Sequence, residues 1–430
     1  MRGWQETIIG AWLLLAAMGT TGLPMTCSAE ETIIQSIRII GLERTRERVV
    51  LRQLPFAAGD VWREDFAETG ERWLRNLGLF SEVHITPPDA SGVVVVQVHE
   101  RWSLWILPQL SRRDNGASSA GLALDEYNLW GLNHHLRLAY KKDTGKNFSS
   151  INGTSYEAGY DWARILDSKL SLHLSVGRGK SIFDSYNAGL LVAEYLQHRN
   201  QLAVLFDYAL GPVPGEGWGI SLGYALDHLR YQLLSGPAQP DVLPSRRHQI
   251  LAGINYRQID DRITWISGTA FDYQLSIAHS TLGSTLNVYR QTGSLRAYLP
   301  LFGHNTLNLR LNAGVATGDV LRDGLFDLGN RNGIRGYFPG EVQTKSYALG
   351  TIEGRFLLRP DSNVQWVAFS DVGYLPNGRL AVKQKRWFIG AGTGLRWTLR
   401  WLVRGTLRAD AAYGLVTRRW RFYLGTGQAF

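Results

Sequence analysis

The chain of 430 residues contains 47 glycines, 15 tryptophans and a single cysteine, and its formal net charge is +9. A mean hydropathy of −0.15 excludes a protein built from membrane-spanning helices, but it is compatible with membrane-spanning strands, in which apolar and polar residues alternate. The positive charge predicts attraction to anionic lipid headgroups rather than to nucleic acid, because no compact Lys/Arg run with interleaved aromatic residues is present.

The N-terminus has the features of a secretory signal peptide covering residues 1–29. Arg2 supplies the positive start, residues 8–18 form an apolar run, and Cys-Ser-Ala at 27–29 forms a cleavage site of small residues. The apolar run is too short to cross a bilayer as a helix, and a buried N-terminal helix is the alternative. Cleavage after Ala29 would remove the only cysteine, which excludes disulfides and cysteine metal sites from the mature chain.

Residues 32–100 predict a small α+β domain. A first strand ends at Gly41, Thr45 is positioned to cap a helix, and a second helix with apolar residues at helical spacing ends at Gly78. Two further strands follow, and the second is the run of valines at 93–98. The predicted order is therefore β-α-α-β-β.

Residues 103–430 predict a mainly β structure, a transmembrane β-barrel. Segments such as 135–140 and 305–312 alternate between apolar and small or polar residues, and such runs recur at a spacing that suits tilted strands of ~10 residues crossing a bilayer. About seventeen candidate strands fit the pattern, but single-chain bacterial barrels have an even number. We therefore predict sixteen antiparallel strands and place the surplus candidate within 181–232.

A soluble β-sandwich is the alternative to a membrane barrel. It would need a second apolar face to cover the Trp, Leu, Val and Tyr residues that line one side of so many strands, whereas lipid supplies this cover for a barrel. Tryptophans near the ends of the candidate strands are typical of the aromatic girdles at membrane interfaces. They are Trp130, Trp162, Trp218, Trp265, Trp387, Trp397, Trp401 and Trp420.

The segment from about 319 to 345 is rich in glycine and charge and carries the most informative motif, Ile334, Arg335, Gly336 and Tyr337. This motif resembles the (V/I)-R-G-(F/Y) signature of the BamA/TamA family of bacterial outer-membrane barrels. The resemblance implies that the segment is a long extracellular loop folded back into the barrel lumen.

Arg335 would need partners inside a barrel, because an unpaired buried guanidinium is costly. Strand alternation points Glu353 and Asp371 toward the lumen from two later strands, although the apolar Phe369 shares the face of Asp371. Both acids also match strand positions of the family. We therefore predict that Arg335 binds Glu353, Asp371 or both and tethers the loop; a solvated loop arginine is the alternative.

Three other stretches extend the resemblance over most of the chain. Gly41 and residues 77–80 resemble positions of a POTRA domain, which in this family precedes the barrel in the periplasm; a generic α+β domain is the alternative. Residues 125–131 resemble the Asn-Leu-Trp-Gly turn after the second barrel strand. The C-terminal stretch resembles the signal read during outer-membrane insertion, carried here by Phe422, Leu424, Gly427 and Phe430.

Other motifs do not predict chemistry. Ser221 lies in a G-x-S-x-G pattern, but the surrounding alternation continues a strand and lacks the strand–turn–helix context of a nucleophile. Residues 179–181 resemble the end of a phosphate loop, yet Leu174 stands where its first glycine belongs. His134 and His135 lack a nearby third metal ligand. We predict no catalytic residue, no metal, no cofactor and no enzymatic activity.

The resemblance implies two alternative functions. In the first, the protein assembles other outer-membrane proteins, and a weak seam between its first and last strands, near 103–112 and 420–430, opens to a client strand. In the second, it is a two-partner-secretion type of polypeptide transporter; a passive pore is the alternative outside the family. The implied partners are outer-membrane lipids including lipopolysaccharide, unfolded or extended client polypeptides, and periplasmic chaperones or accessory lipoproteins.

Overall fold

A computed structural model describes residues 32–112, 118–144, 152–359 and 362–426. The predicted signal peptide, Gly427 and Phe430 lie outside these described residues. Within them, the chain forms a small mixed domain followed by a 16-stranded sheet, which confirms the predicted fold class. No helix in the described ranges is long and apolar enough to cross a bilayer.

The N-terminal domain has the predicted order β-α-α-β-β. Its elements are β1 (Ser36–Ile40), α1 (Glu47–Leu51), α2 (Asp65–Asn76), β2 (Phe80–Thr86) and β3 (Val93–Glu100). The central strand is β3, which runs parallel to β1 and antiparallel to β2. Phe66, Trp73 and Leu74 recur at helical spacing on α2 and are buried against the sheet. Val403, from a turn of the large sheet, packs into the same core.

The start of α1 differs from the sequence prediction. The N-cap residue is Arg46 rather than Thr45, and no side chain caps the helix. The predicted cap was wrong because the Thr45 hydroxyl has another partner, the side-chain amide of Asn128, which donates to it at 2.9 Å. Thr45 therefore joins the domain to the large sheet.

The large sheet consists of long antiparallel strands, each paired with the next long strand along the chain. The first eight are β4 (Leu104–Arg112), β5 (Ser118–Leu129), β6 (His134–Thr144), β7 (Asn152–Trp162), β8 (Leu170–Asn187), β9 (Leu190–Ala209), β10 (Gly217–Ser235) and β11 (Ser245–Asp261). Next come β12 (Ile266–Ala278), β13 (Val288–Pro300) and β14 (Thr306–Gly318). Two short strands then pair with each other in a loop, β15 (Phe326–Asp327) and β16 (Gln343–Thr344). The last five are β17 (Ser346–Leu357), β18 (Val364–Tyr374), β19 (Trp387–Thr398), β20 (Thr406–Gly414) and β21 (Arg419–Thr426).

The surplus candidate strand lay in the expected region. The candidates near 186–196 and 201–209 form the single strand β9, which is 20 residues long. A strand needs only about 9–11 residues to cross a bilayer, so β9 continues beyond the apolar layer. The polar residues 197–200 lie in that continuation and interrupt the apolar alternation without ending the strand.

The two faces of the sheet differ in polarity, as a membrane barrel requires. Following the strand register from β4 to β21, one parity carries exposed apolar side chains: Ile106, Leu122, Leu138, Tyr156, Val176, Phe206, Leu222, Ile254, Leu295, Leu311, Ile352, Leu395 and Leu424. The opposite parity carries buried charged side chains, including Asp125, Glu353 and Asp371. Six of the predicted girdle tryptophans are exposed near strand ends: Trp130, Trp218, Trp387, Trp397, Trp401 and Trp420.

The start of the first strand is bonded to a turn near the other end of the sheet. The Trp102 amide, just before β4, donates to the Trp401 carbonyl at 2.7 Å, and the Val403 amide donates to the Trp102 carbonyl at 2.9 Å. These bonds join the start of β4 to the turn between β19 and β20. Among the described residues of β4 and β21, however, no hydrogen-bonded ladder links the two strands.

The N-terminal domain is docked against one end of the barrel. Arg72 of α2 lies 2.8 Å from Glu216, and Arg75 lies 3.2 Å from Asp260, in nitrogen-to-oxygen distance. The Asn76 side chain donates to the Ile259 carbonyl at 2.7 Å. A cavity of about 570 Å³ remains between this domain and the lumen. The domain therefore covers the lumen at this end.

Candidate functional site in the barrel lumen

The loop between β14 and β17 folds into the lumen at the end opposite the N-terminal domain. β15 and β16 pair near its base, and the Ile334 amide donates to the Leu328 carbonyl at 2.7 Å. Gly336 has a φ of +96°, a left-handed conformation that glycine adopts without steric cost. This tight turn directs the Arg335 side chain toward the wall formed by β17 and β18.

Arg335 contacts both of the acids predicted from the sequence. Its Nε and Nη2 atoms donate to the two oxygens of Asp371 at 2.8 and 2.9 Å, and Nη1 donates to Glu353 at 2.7 Å. Its backbone amide also donates to Asp371, at 3.0 Å. The guanidinium carbon lies 3.4 Å from the ring centroid of Phe369. Because the side chains of Arg335 and both acids are at most 1 % exposed, they have exchanged water for one another.

The two acids belong to a larger charged network on the same wall. Glu353 also contacts Arg355 at 2.9 Å and Arg396 at 3.4 Å. Asp410 lies 2.6 Å from Arg396 and 2.6 Å from Arg408. The network crosses β17, β18, β19 and β20 and therefore ties four strands of the barrel to one loop.

The loop backbone fits against two glycines of the barrel wall. A Cβ atom on Gly390 would collide with the carbonyl group of Arg335, and one on Gly414 would collide with the carbonyl group of Gly336. Glycine at these two strand positions therefore allows the motif to approach the wall at backbone distance.

Tyr337 and Tyr423 extend the attachment to the last strand. The buried Tyr337 hydroxyl donates to the Ile389 carbonyl at 2.9 Å and accepts from the Val416 amide at 3.1 Å. The Tyr423 hydroxyl of β21 donates to the Tyr337 carbonyl at 3.0 Å and accepts from the Gly336 amide at 2.9 Å. All four motif residues, Ile334 to Tyr337, are thus buried, and the motif contacts β18 to β21.

The base of the loop also reaches strands on the other side of the lumen. Arg322 donates to the Tyr186 carbonyl at the end of β8 and lies 2.9 Å from Asp241. Asp323 accepts from Arg247 of β11 at 2.5 Å. The loop therefore crosses the lumen and covers this end of the barrel.

Asp327 of β15 is a loop acid that accepts hydrogen bonds from the loop backbone. It accepts from the amides of Gly340 at 2.6 Å and Gly329 at 3.2 Å. Burial raises the pKa of Asp327 to about 7, although these amide hydrogen bonds act in the lowering direction. The loop therefore contains a carboxyl group that titrates near neutral pH.

A second charged row lies on the lumen wall nearer the N-terminal domain. His135 contacts Asp125 at 3.0 Å through Nε2 and Asp161 at 2.8 Å through Nδ1. His173 contacts Asp161 at 2.8 Å through Nδ1 and Asp207 at 2.6 Å through Nε2. Because ionised carboxylates only accept hydrogen bonds, this geometry favours histidines that are protonated on both ring nitrogens. The row joins the five neighbouring strands β5 to β9.

The sequence motifs without predicted chemistry are ordinary parts of the barrel. Ser221 pairs with Asp207 in the ladder between β9 and β10, and residues 179–181 lie within β8. The Nδ1 atom of His134 shares a hydrogen bond with the Tyr160 hydroxyl at 2.8 Å. Among the described residues, no group of three or more His, Cys, Asp or Glu side chains could hold a metal ion.

The turn after β5 and the last strand carry the two remaining predicted features. Asn128 bonds to Thr45, and the Gly131 carbonyl accepts from the Arg46 amide at 2.9 Å, so this turn docks the N-terminal domain. Phe422 and Leu424 lie on the outward face of β21 and are 79 and 80 % exposed.

Sequence reasoning did not identify Asp410, Arg396 and Arg408 as parts of the network. The signal was available, because Arg408 and Asp410 alternate with apolar or small residues on β20 as Glu353 does on β17. The histidine–aspartate row was also missed, since its five members come from five different strands.

The fold and the lumen site define a class of protein. Sixteen antiparallel strands with an apolar outer face, a charged inner face and aromatic girdles form a transmembrane β-barrel of the outer-membrane type. This barrel follows a small β-α-α-β-β domain and holds an in-folded loop through a buried arginine.

Comparison with family models narrows this class. Residues 128–430 match the Omp85 superfamily domain, and residues 32–101 match the POTRA model, described as the surface antigen variable number repeat. The chain belongs to the Omp85 superfamily. It is a bacterial outer-membrane protein whose POTRA domain lies in the periplasm. The covering loop 319–345 therefore lies at the extracellular end of the barrel.

Curated relatives include two proteins named outer membrane protein assembly factor BamA. The one from Neorickettsia risticii is 23% identical over 428 residues, covering 90% of this chain and 53% of the relative. The one from Nitratidesulfovibrio vulgaris is 21% identical over 377 residues, covering 80% of this chain and 44% of the relative. The chain thus spans about half the length of the curated relatives it matches.

Two solved structures show the same fold. CdiB from Escherichia coli has a TM-score of 0.60 at 16% identity, with 92% of this chain and 74% of that chain covered. BamA from Haemophilus ducreyi lacking POTRA domains 1-3 has a TM-score of 0.53 at 15% identity, with 92% and 83% covered.

Proposed function

We propose that this protein inserts outer-membrane proteins and that the client strands enter at the seam between β4 and β21. One observation carries the proposal. Every other neighbouring pair of long strands in the barrel is joined by a hydrogen-bonded ladder, whereas the described residues of β4 and β21 are not.

The physical reason is the cost of unpaired backbone groups in lipid. A strand edge in the bilayer leaves N–H and C=O groups without partners, and an incoming strand that pairs with the edge satisfies them. Gly425 of β21 contributes, because glycine weakens a strand and its missing side chain leaves room for the Arg331 guanidinium. The seam would then act as a template for the first strand of an unfolded client.

The POTRA sheet offers a second edge to an extended client in the periplasm. Its two edge strands are β1 and β2. On β2, the Ile85 amide already donates to the Glu71 side chain at 3.0 Å, so part of that edge is occupied. We therefore place client pairing at β1, by addition of a strand to the sheet. Periplasmic chaperones or accessory lipoproteins would deliver the client there.

The covered lumen supports a seam route over a passage through the lumen. The POTRA domain lies across the periplasmic end, and the loop anchored by Arg335 lies across the extracellular end. We propose no enzymatic activity for this arrangement, since the ionisable groups of the lumen network are paired with one another.

A disulfide across the seam tests the proposal. The variant Ile106→Cys is combined with Phe422→Cys or Leu424→Cys, all at outward positions, and reconstituted in lipid vesicles with an unfolded client barrel. Oxidation should abolish the acceleration of client folding, and reduction should restore it.

The matched control pairs Ile106→Cys with Leu124→Cys, because these residues are direct partners in the ladder between β4 and β5. Oxidation of the control should leave client folding unchanged. Full activity with a quantitatively closed seam would refute insertion at this site. Passage of an extended polypeptide through the oxidised protein would instead identify a secretion transporter, and a high resting ion conductance would identify a passive pore.

A further inference from the structure

A group of basic side chains lies on the outward face of β8 to β11, on the extracellular side of the exposed apolar residues of these strands. Its cations are Arg178, Lys180, Arg230 and Arg246, and all four are exposed. The same groove, of about 930 Å³, is also lined by polar and aromatic neighbours: Thr154, Tyr156, His198, Asn200 and His228.

The strand register arranges these side chains in two rows along the barrel surface. The first row runs across five strands through residues that are direct ladder partners: Tyr156, Arg178, Asn200, His228 and Arg246.

The second row lies two residues nearer the extracellular ends and runs through Thr154, Lys180, His198 and Arg230. Because neighbouring strands are ~4.8 Å apart, the four cations span three strand spacings, or ~14 Å, across the barrel surface.

These side chains face outward, not into the lumen. Arg178 and Lys180 share their parity on β8 with Leu174 and Val176, which are 37 and 47 % exposed on the apolar surface. Ser171 and His173, of the opposite parity, face the lumen row. The basic patch therefore lies at the height where the apolar band of the barrel ends and the polar part of the outer leaflet begins.

The cations of the patch have no ion pair among the contacts of the described residues. The salt bridges of this region involve lumen-facing residues such as Arg199 with Asp227. The nearest acids of the same parity, Asp184 and Glu194, lie four residues beyond Lys180 and His198 toward the strand tips. A cluster of like charges without acids is unfavourable by itself, and an anion relieves it.

We propose that this patch binds the phosphate groups of a phosphorylated glycolipid in the outer leaflet. Arginine and lysine bind phosphate through charge-assisted hydrogen bonds, and arginine does so in a bidentate manner. The acyl chains of the same lipid would lie along the exposed Leu222, Tyr224 and Ile250 directly below. A free phosphate ion would lack this second contact, which commits the site to a lipid.

The test measures binding of lipid A to the folded protein in detergent micelles by native mass spectrometry. The variant combines Arg178→Gln, Lys180→Gln, Arg230→Gln and Arg246→Gln. Wild-type protein should bind bisphosphorylated lipid A, and the variant should bind it more weakly by on the order of tenfold or more. Dephosphorylated lipid A should bind wild-type protein as weakly as the variant binds the phosphorylated lipid.

The matched control is Lys385→Gln with Arg386→Gln, two exposed basic residues near the extracellular end of β19 on another part of the barrel. The control should bind lipid A like wild type. Equal binding of phosphorylated and dephosphorylated lipid A, or full binding by the fourfold variant, would overturn the proposal. Displacement of the lipid by millimolar inorganic phosphate would assign the patch to free phosphate.

The shift in gel mobility on heating, typical of folded barrels, checks that each variant is folded. If the fourfold variant does not fold, the single variant Arg178→Gln and the dependence of wild-type binding on salt replace it. Binding through the patch should weaken as salt screens the charges, and salt-independent binding would contradict the proposal.

Discussion

Replacement of Arg335 by methionine is the most direct test of the lumen clamp. The substitution keeps an unbranched side chain but removes three hydrogen bonds to carboxylates, two to Asp371 and one to Glu353. Glu353 keeps Arg355 and Arg396 as partners. Within the described part of the chain, Asp371 keeps only the hydrogen bond from the amide of residue 335. The cost therefore comes mainly from one buried carboxylate that loses its cation.

Breaking a buried ion pair by removing one partner typically costs about 3–5 kcal/mol. We expect this loss in the free energy of unfolding of Arg335→Met, measured by urea titration in lipid vesicles. Arg335→Lys should fall between wild type and Arg335→Met, because lysine keeps the charge but cannot form the bidentate contact to Asp371. The control is Arg331→Met in the same loop, since Arg331 is exposed and should change stability by only about 0.5 kcal/mol.

A double-mutant cycle separates the ion pair from general damage to the loop. Asp371→Asn should destabilise the protein by itself, but the double variant with Arg335→Met should cost less than the sum of the two. The expected coupling is about 2–3 kcal/mol, as for residues in direct contact. Additive effects, or a loss below about 1 kcal/mol for Arg335→Met, would refute the clamp, because exposed ion pairs have that magnitude.

Three further predictions concern the loop and the POTRA domain. Gly390→Ala should displace the loop and destabilise the barrel about as much as Arg335→Met, because its Cβ would meet the loop backbone; Gly293→Ala, with open space around it, should not. The pKa of Asp327 in the folded state is raised to about 7. The stability contributed by its protonated form is therefore fully present at pH values below the usual carboxyl pKa, and it is lost as the pH rises through 7. After correction for the intrinsic pH dependence of amide exchange, the loop amides should therefore be less protected at pH 8 than at pH 6, and Asp327→Asn should remove that difference in protection. Asn128→Ala removes a side-chain bridge to the POTRA domain and should increase proteolysis at residues 101–103, while an unchanged cleavage rate would mean that the other contacts suffice.

The sequence was sufficient to predict the fold and the central contact for one physical reason. Side chains alternate strictly along a strand, so the parity of Ile352 and Phe356 fixes the inward direction of Glu353. When the glycine-rich segment between β14 and β17 folds into the lumen, its arginine then meets these inward acids. The same parity also points Arg408 and Asp410 inward, but parity gives direction only. The distance between strands that are not sequence neighbours depends on the curvature of the whole barrel.

Other features could not be predicted from local sequence patterns. Thr45 and Asn128 are separated by 83 residues, and the hydrogen bond between them engages the predicted cap of α1 and contributes to the docking of the POTRA domain. The polar interruption at 197–200 has the appearance of a turn, since only the three-dimensional arrangement places it beyond the apolar layer. Local sequence fixes neither result, because the competing partner is distant along the chain.

The two strands of the seam, β4 and β21, are attached at different places, which indicates how the seam would open. On its lumen side, β21 is attached to the loop by Tyr423, and Arg421 lies 3.5 Å from Glu341. β4 is attached near its periplasmic start, where Trp105 donates to the Val403 carbonyl at 2.7 Å. Opening the lumen would break buried ion pairs at about 3–5 kcal/mol each, whereas opening the seam breaks no ladder between described residues. We therefore expect β4 to swing away about its periplasmic end while the loop holds β21 in place as the template.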